Sequence, residues 1–153
     1  DAIAGTAAAV LMHPDARSKL RQINDWRQAF AEYVRWMSPI GMSPRQISGD
    51  CTVLGYDFKQ NDRVFFMFGA ANRDPTVFDA PNTYDINRET GPSIPFGAGP
   101  HFCAGGAASR VLIAEVALPQ LFAAFPDVEL TETVQWGGWA FRGPLSVQVR
   151  RGV

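Results

Sequence analysis

The 153 residues, 46% of them apolar, are enough to bury one core, and a formal charge of −1 from 14 basic and 15 acidic side chains creates no field that argues for a nucleic-acid partner. Two cysteines, Cys51 and Cys103, cannot build a disulfide framework and lack CxxC spacing for zinc, so a soluble, reducing, cytoplasmic setting is expected. No run approaches the roughly 18 apolar residues of a membrane span, and no secretory signal or internal repeat is legible.

Asp1 to Met12 is alanine-rich, has no initiator methionine and no capping residue before it, and stops at His13-Pro14. It reads as the middle and end of a helix, with an N-terminal portion absent from this chain. Pro14 and Asp15 suit the first turn of a short helix to about Leu20, and Asn24 or Asp25 suits the cap of a helix from Trp26 to Met37. Trp26, Phe30, Val34 and Met37 recur at spacings of three and four, which buries one face, and Ser38-Pro39 ends the helix. Between Gly41 and Asp62 short strands are expected at Gln46–Ser48, Thr52–Leu54 and Tyr56–Phe58. Arg63 to Ala71 reads as a short apolar helix, followed by an irregular, proline-rich segment to Pro95, of the kind that is functional or tightly packed. A helix from about Ala104 to Phe122 is apolar on most sides, with Pro119 expected to kink it, and Phe125 to Leu130 and Leu145 to Arg150 read as closing strands. The fold class is mainly α with small β-sheets.

The residues with chemistry lie before the last helix, in Phe96-Gly97-Ala98-Gly99-Pro100-His101-Phe102-Cys103-Ala104-Gly105. A thiolate is the metal-ligating form of cysteine and is favoured near a helix N-terminus. Gly97, Gly99 and Gly105 admit backbone conformations or close approaches that side chains obstruct, so the loop can lie against a flat partner. A haem suits it, with Cys103 as the sulfur ligand, Phe96 covering the sulfur side of the ring and His101 hydrogen-bonding an acidic group at the edge. A nucleotide-binding glycine loop fits poorly, because Phe102 stands at the third glycine position and no Lys-Ser or Lys-Thr follows.

Phe96-x-x-Gly99-x-x-x-Cys103-x-Gly105, with Gly97 and His101, resembles the haem-binding signature of bacterial cytochromes P450. Glu32-Tyr33-Val34-Arg35 is similar to the ExxR of that family's K helix, a spacing that puts acid and base on one helical face. Asn72-Arg73-Asp74-Pro75-x-x-Phe78 and Pro81-x-x-Tyr84-Asp85-x-x-Arg88 resemble the segment leading into the haem loop. The resemblance runs in family order over nearly the whole chain, from the end of the I helix through the L helix to the C-terminal strands. It implies that residues 1–153 are the C-terminal part of one P450 domain.

By that resemblance Cys103 is the axial ligand of haem b, and Arg45 and His101 are propionate partners. Glu32, Arg35 and Arg88 form a structural network, while Ile40, Met42, Ser43 and Phe141 fall on substrate-facing loops. Arg110 resembles a residue near the electron-donor surface. The implied activity is a monooxygenase that takes electrons from NAD(P)H through a ferredoxin or flavin reductase and inserts one atom of dioxygen into a small organic substrate. The aromatic tail Trp136 to Pro144 is similar to those of bacterial aromatic O-demethylases, which implies a methoxy-aromatic substrate. Ala4-Gly5-Thr6 lacks the acid of the family's oxygen-activating motif and lies too near His13 to be that site.

Without its context Cys103 reads as a buried structural cysteine, Glu32 and Arg35 as an exposed helix pair, Arg45 as a solvated loop charge, and Cys51 and Phe141 as core residues. A noncatalytic haem-binding sensor or carrier, and an incomplete structural fragment without haem, stand as alternative functions.

Overall fold

The computed structural model describes residues 2–152, so Asp1, the expected start of the first helix, lies outside the described residues. Helix α1 (Ala2–Met12) runs to His13, and Pro14, with its φ already set for a helix, opens α2 (Pro14–Ile23). Asn24 closes α2 in the left-handed region at φ 50°, its N–H bonded to the Leu20 carbonyl at 2.8 Å. Asp25 caps α3 (Trp26–Met37), its carboxylate accepting the Arg27 N–H at 3.1 Å, and Ser38 ends α3 before Pro39.

Helix α3 is the centre of the molecule and is buried on more than the one expected face. Trp26, Ala29, Phe30, Tyr33, Val34 and Met37 enter the apolar core, while Glu32 and Arg35 are buried on the other side. Ala7 to Val10 of α1, Leu20 of α2, and Ala114 and Leu118 of the last helix complete that core. Trp26 stacks on Phe122 with ring centroids 4.5 Å apart.

The Ala-Gly-Thr stretch of α1 has a packing role. A β-carbon at Gly5 would run into the Tyr33 hydroxyl, so glycine is what lets α1 and α3 approach. Among the described residues that buried hydroxyl has no hydrogen-bond partner, and desolvation pushes the Tyr33 pKa up to about 12 against the opposing field of Arg142. Gly5→Ala is therefore expected to cost about 1–3 kcal/mol by overpacking. Tyr33→Phe, which removes an unsatisfied group, is expected to be nearly neutral alone and to recover part of that loss. Urea unfolding of the two single variants and the double variant measures both effects.

Among the described residues the strands form four antiparallel pairs. β1 (Ser43–Gln46) pairs with β4 (Arg63–Phe66), setting Arg45 opposite Val64. β2 (Cys51–Val53) and β3 (Tyr56–Phe58) form a hairpin, turned by Leu54 and Gly55 at φ 51° and 81°. β5 (Val128–Leu130) pairs with β8 (Val149–Arg151), and β6 (Trp136–Gly137) with β7 (Gly143–Pro144).

Two expected elements are corrected. The strand expected at Gln46–Ser48 is Ser43–Gln46, and the helix expected over Arg63–Ala71 is a strand followed by only one helical turn, α4 (Phe68–Ala71). Val64, Phe65 and Phe66 are β-branched or aromatic, and their pairing with a strand some twenty residues earlier decides their conformation. Cys51 is also exposed on β2 rather than in the core.

The last helix, α5 (Gly106–Ala124), is continuous, with π-type turns over Val111–Ala117 in which Leu118 N–H bonds the Ile113 carbonyl. The irregularity expected at Pro119 thus falls in the turns before it. By length and composition α5 is long and apolar enough to cross a membrane, which corrects the expectation that no such stretch exists. Arg110 and Glu115 interrupt the apolar run in sequence yet are too few to lower its average. Here α5 packs on α3 through Ala114 and Leu118, while Val111, Leu112 and Val116 on its other faces are exposed.

Candidate cofactor site

The irregular segment after α4 is held by a buried ionic network on α3. Glu32 and Arg35 lie one helical turn apart with side chains 1% and 0% exposed, joined by a bidentate pair: Arg35 Nε to Glu32 Oε2 at 2.6 Å and Nη2 to Oε1 at 2.7 Å. The remaining Arg35 donors reach the carbonyls of Asn72 (2.8 Å), Pro81 (3.0 Å) and Thr83 (3.2 Å). Arg88 donates to Glu32 Oε1 at 3.2 Å and to the carbonyls of Asp79 and Ala80, and the Asp85 N–H donates to the same Glu32 oxygen at 3.0 Å. Helical geometry therefore orients two charges toward a segment that has no ladder of its own, and the carbonyls of that segment satisfy them.

Asn72 extends the network and was not singled out from the sequence. Fully buried, it donates to Ser38 Oγ at 3.0 Å and accepts the Ile94 N–H at 2.7 Å, so it ties the start of the irregular segment to the residues just before the glycine loop. Asn72→Ala leaves both partners unsatisfied and is expected to cost about 1–3 kcal/mol, read from the denaturant midpoint. The Asn-Arg-Asp-Pro motif was the available signal, but no local pattern shows that the amide spans twenty-two residues.

The loop itself is closed by Cys103 N–H donating to the Phe96 carbonyl at 2.9 Å, with a single 3₁₀ turn, Gly99–His101, inside it. Gly97 and Gly99 stand at φ 74° and 64°, where side chains are strained, and a β-carbon at Gly99 would project into open space. The helix begins at Gly106 rather than Ala104, so Cys103 precedes it by three residues, its carbonyl accepting the Gly106 N–H at 3.0 Å. Phe96 lies between Phe30 and Phe102, both at 6.4 Å between centroids, and the Arg110 guanidinium stands 4.6 Å over its ring.

Cys103 is exposed and lines a cavity of about 340 Å³ with Phe30, Val34, Ile40, Ser43, Arg45, Phe68, Phe96, Gly97, His101 and Ile113. Arg45 and His101 also line an adjoining cavity of about 380 Å³ with Phe66, Phe68 and Gly97. The Arg45 guanidinium donates to Ser43 Oγ at 2.6 Å and lies 5.2 Å over the Phe66 ring. Neither Arg45 nor His101 has a carboxylate partner among the described residues. Of the expected substrate-facing residues, Ile40 and Ser43 line the cavity, whereas Met42 and Phe141 do not. Phe141 is 75% exposed, so it is not a core residue either, and it pairs with Ile40 through a backbone bridge.

This donor set fits a haem. One soft sulfur faces a mostly apolar cavity, Arg45 and His101, without acid partners among the described residues, line it as well, and a glycine loop leaves room for a flat group. Among the described residues no cluster of three His, Cys, Asp or Glu offers a metal any other set of ligands.

The sequence profile of the cytochrome P450 family matches residues 15–131, and the chain belongs to that family. It is similar to the biotin biosynthesis cytochrome P450 of Bacillus subtilis (strain 168), 35% identical over 131 residues, covering 85% of this chain and 33% of that protein. The polyketide biosynthesis cytochrome P450 PksS of the same strain is 37% identical over 133 residues, covering 84% and 33%. Its solved structure superposes with a TM-score of 0.90 at 33% identity, covering 100% of this chain and 41% of that one. P450BioI, solved in complex with hexadec-9Z-enoic acid ligated acyl carrier protein, gives a TM-score of 0.91 at 31% identity over 99% and 40%. The chain spans about a third of the length of the curated relatives it matches.

Proposed function

We propose that residues 1–153 form the C-terminal part of a P450 domain, and that the protein carrying them is a cytoplasmic haem-thiolate monooxygenase. The observation that carries this reading is the exposed Cys103 thiol, set in the wall of an apolar cavity whose edge holds Arg45 and His101. Cys103 would supply the sulfur ligand to haem b, Phe96, Gly97, Gly99 and Gly105 would shape the loop that carries it, and Arg45 and His101 would hold the propionates. The bound haem supplies the cleavage of the O–O bond, with two electrons from NAD(P)H arriving through a ferredoxin or flavin reductase. One oxygen atom enters a small organic substrate and the other leaves as water. Arg110, over the Phe96 ring, lines a neighbouring cavity of about 510 Å³ with Arg27, Phe102 and Glu115, a surface suited to the electron donor.

Ile40, Met42, Ser43 and Phe141 belong to the substrate-facing loops in this reading, with Ile40 and Ser43 reaching the cavity directly. The narrower proposal is O-demethylation of a methoxy-aromatic compound, in which oxygen insertion at the methyl carbon yields the phenol and formaldehyde. It is supported by the similarity of the aromatic segment from Trp136 to Pro144 to those of bacterial aromatic O-demethylases, a segment that meets Ile40 through the Phe141 backbone bridge.

The test is turnover of the full-length, haem-loaded protein with a surrogate ferredoxin, its reductase, NAD(P)H and isotopically labelled dioxygen, using methoxyphenols and a long-chain acyl substrate. The acyl arm is included because P450BioI was solved with an acyl carrier protein. One labelled atom in a product supports monooxygenation, and formaldehyde from a methoxyphenol supports the narrower reading. Product from the acyl arm alone would overturn O-demethylation. A haem-loaded protein that incorporates no label from any substrate would favour a noncatalytic sensor or carrier.

A further inference from the structure

We infer that Arg142 is a positioning residue for the cavity wall, threaded between two glycines so that it locks Ile40 and Phe68 at a fixed separation. The inference rests on the reading of the Cys103 cavity as the haem and substrate side.

The connection between the β6–β7 segment and the end of α3 is thin in its backbone. Gly41 N–H donates to the Ala140 carbonyl and Arg142 N–H to the Pro39 carbonyl, both at 2.8 Å, around the single Ile40–Phe141 bridge. The Arg142 side chain adds a second tie. A β-carbon at Gly41 would stand 2.8 Å from Arg142 Cδ, and one at Gly69 would stand 2.9 Å from Arg142 Nη1, so the side chain occupies a slot that both glycines leave open. Gly69 lies on α4 next to Phe68, and its N–H donates to the Gly41 carbonyl at 3.0 Å.

Ile40 and Phe68 both line the Cys103 cavity. Arg142 thus braces two wall residues from behind, one through the bridge beside it and the other through the helical turn against which its guanidinium ends. It does not line the cavity, so its effect is on the position of the wall rather than on contact with a bound molecule.

The two glycines differ as probes. At Gly41 a methyl group would also meet the Trp139 carbonyl at 2.6 Å, and the backbone would have to move. At Gly69 the other near atoms are at 3.7 and 3.9 Å, so alanine there displaces the guanidinium alone, inside a helical turn that alanine favours. Gly69→Ala is therefore the discriminating variant.

The experiment titrates the full-length, haem-loaded protein with imidazole and with 4-phenylimidazole, following the shift of the haem band. Four proteins are compared: wild type, Gly69→Ala, Arg142→Ala and the double variant. A displaced wall is felt by the larger probe only. Gly69→Ala is expected to weaken 4-phenylimidazole about fivefold, with imidazole unchanged, and to have no further effect once Arg142 is alanine. Equal affinities for the larger probe in wild type and Gly69→Ala, or a Gly69→Ala effect that persists in the Arg142→Ala background, overturn the inference alone. A wild-type protein whose haem band responds to neither azole overturns the cavity reading together with it.

Discussion

Arg35→Met is expected to lower stability by about 3–5 kcal/mol and to prevent haem retention, because it strands the Glu32 carboxylate in a fully buried position. The loss is larger than that of one ion pair. Arg35 makes five hydrogen bonds, two to Glu32 and three to the carbonyls of Asn72, Pro81 and Thr83, and lies 5.3 Å over the Phe78 ring. Without it the carbonyls of Asn72 and Pro81 lose their donor, that of Thr83 keeps only the 3.4 Å bond from Arg88, and the segment feeding the glycine loop loses its anchor. Arg35→Lys keeps the charge but not the planar fork, so it is expected to fall between Arg35→Met and wild type. Arg88→Lys is expected to be milder, since the Arg88 side chain is 11% exposed and water reaches part of it. Denaturant midpoints and haem-to-protein ratios measure the series. An Arg35→Lys protein as stable and haem-replete as wild type would show that the forked geometry is not what holds the segment.

The second large effect is chemical rather than structural. Cys103→Ala is expected to leave the protein folded while reducing haem affinity and turnover about a hundredfold or more, at least the range seen when groups that only support a metal ligand are removed. The bonds Cys103 makes within the loop come from its backbone, N–H to the Phe96 carbonyl and carbonyl from the Gly106 N–H, and alanine retains both. Its side chain is exposed to the cavity rather than packed in the core, so its removal opens no buried void. Unfolding midpoints of the haem-free proteins separate the two contributions: they should coincide for wild type and Cys103→Ala, in contrast to the Arg35 series.

Features that depend on near neighbours were legible in the sequence. The glycine loop, the Glu32–Arg35 spacing and the helices bounded by Pro14, Asp25 and Pro39 are written in residues three to ten apart, and capping, proline geometry and helical periodicity act over that range. Features that depend on distant partners were not. The Val64 to Phe66 run was read as helical because an apolar run of that length has no period, and only its pairing with Ser43–Gln46 makes it a strand. Burial on both sides of α3 follows from the carbonyls of residues 72–83 turning toward Arg35, which no pattern within α3 reveals. Asn72 and Arg142 escape for the same reason: each joins segments far apart in the chain, and even the Asn-Arg-Asp-Pro motif does not say what the Asn72 amide reaches.

The cavity-facing residues show the limit most directly. Arg45 and Ser43 share β1 with Ile40 just before it, and their common exposure to the Cys103 cavity follows from the strand. The family resemblance groups Met42 and Phe141 with them, yet the first does not reach the cavity and the second points its ring to solvent. Adjacent residues in extended chain face opposite ways, so a loop can be assigned to a site while half its side chains miss it.

The central claim, that Cys103 is the sulfur ligand of a haem, is tested most directly by the absorption spectrum of the reduced, carbon-monoxide-bound protein, recorded on the full-length, haem-loaded form beside Cys103→Ala. The wild type is expected to show the red-shifted band of thiolate-ligated haem and the variant to lack it. The same band in both proteins would contradict it.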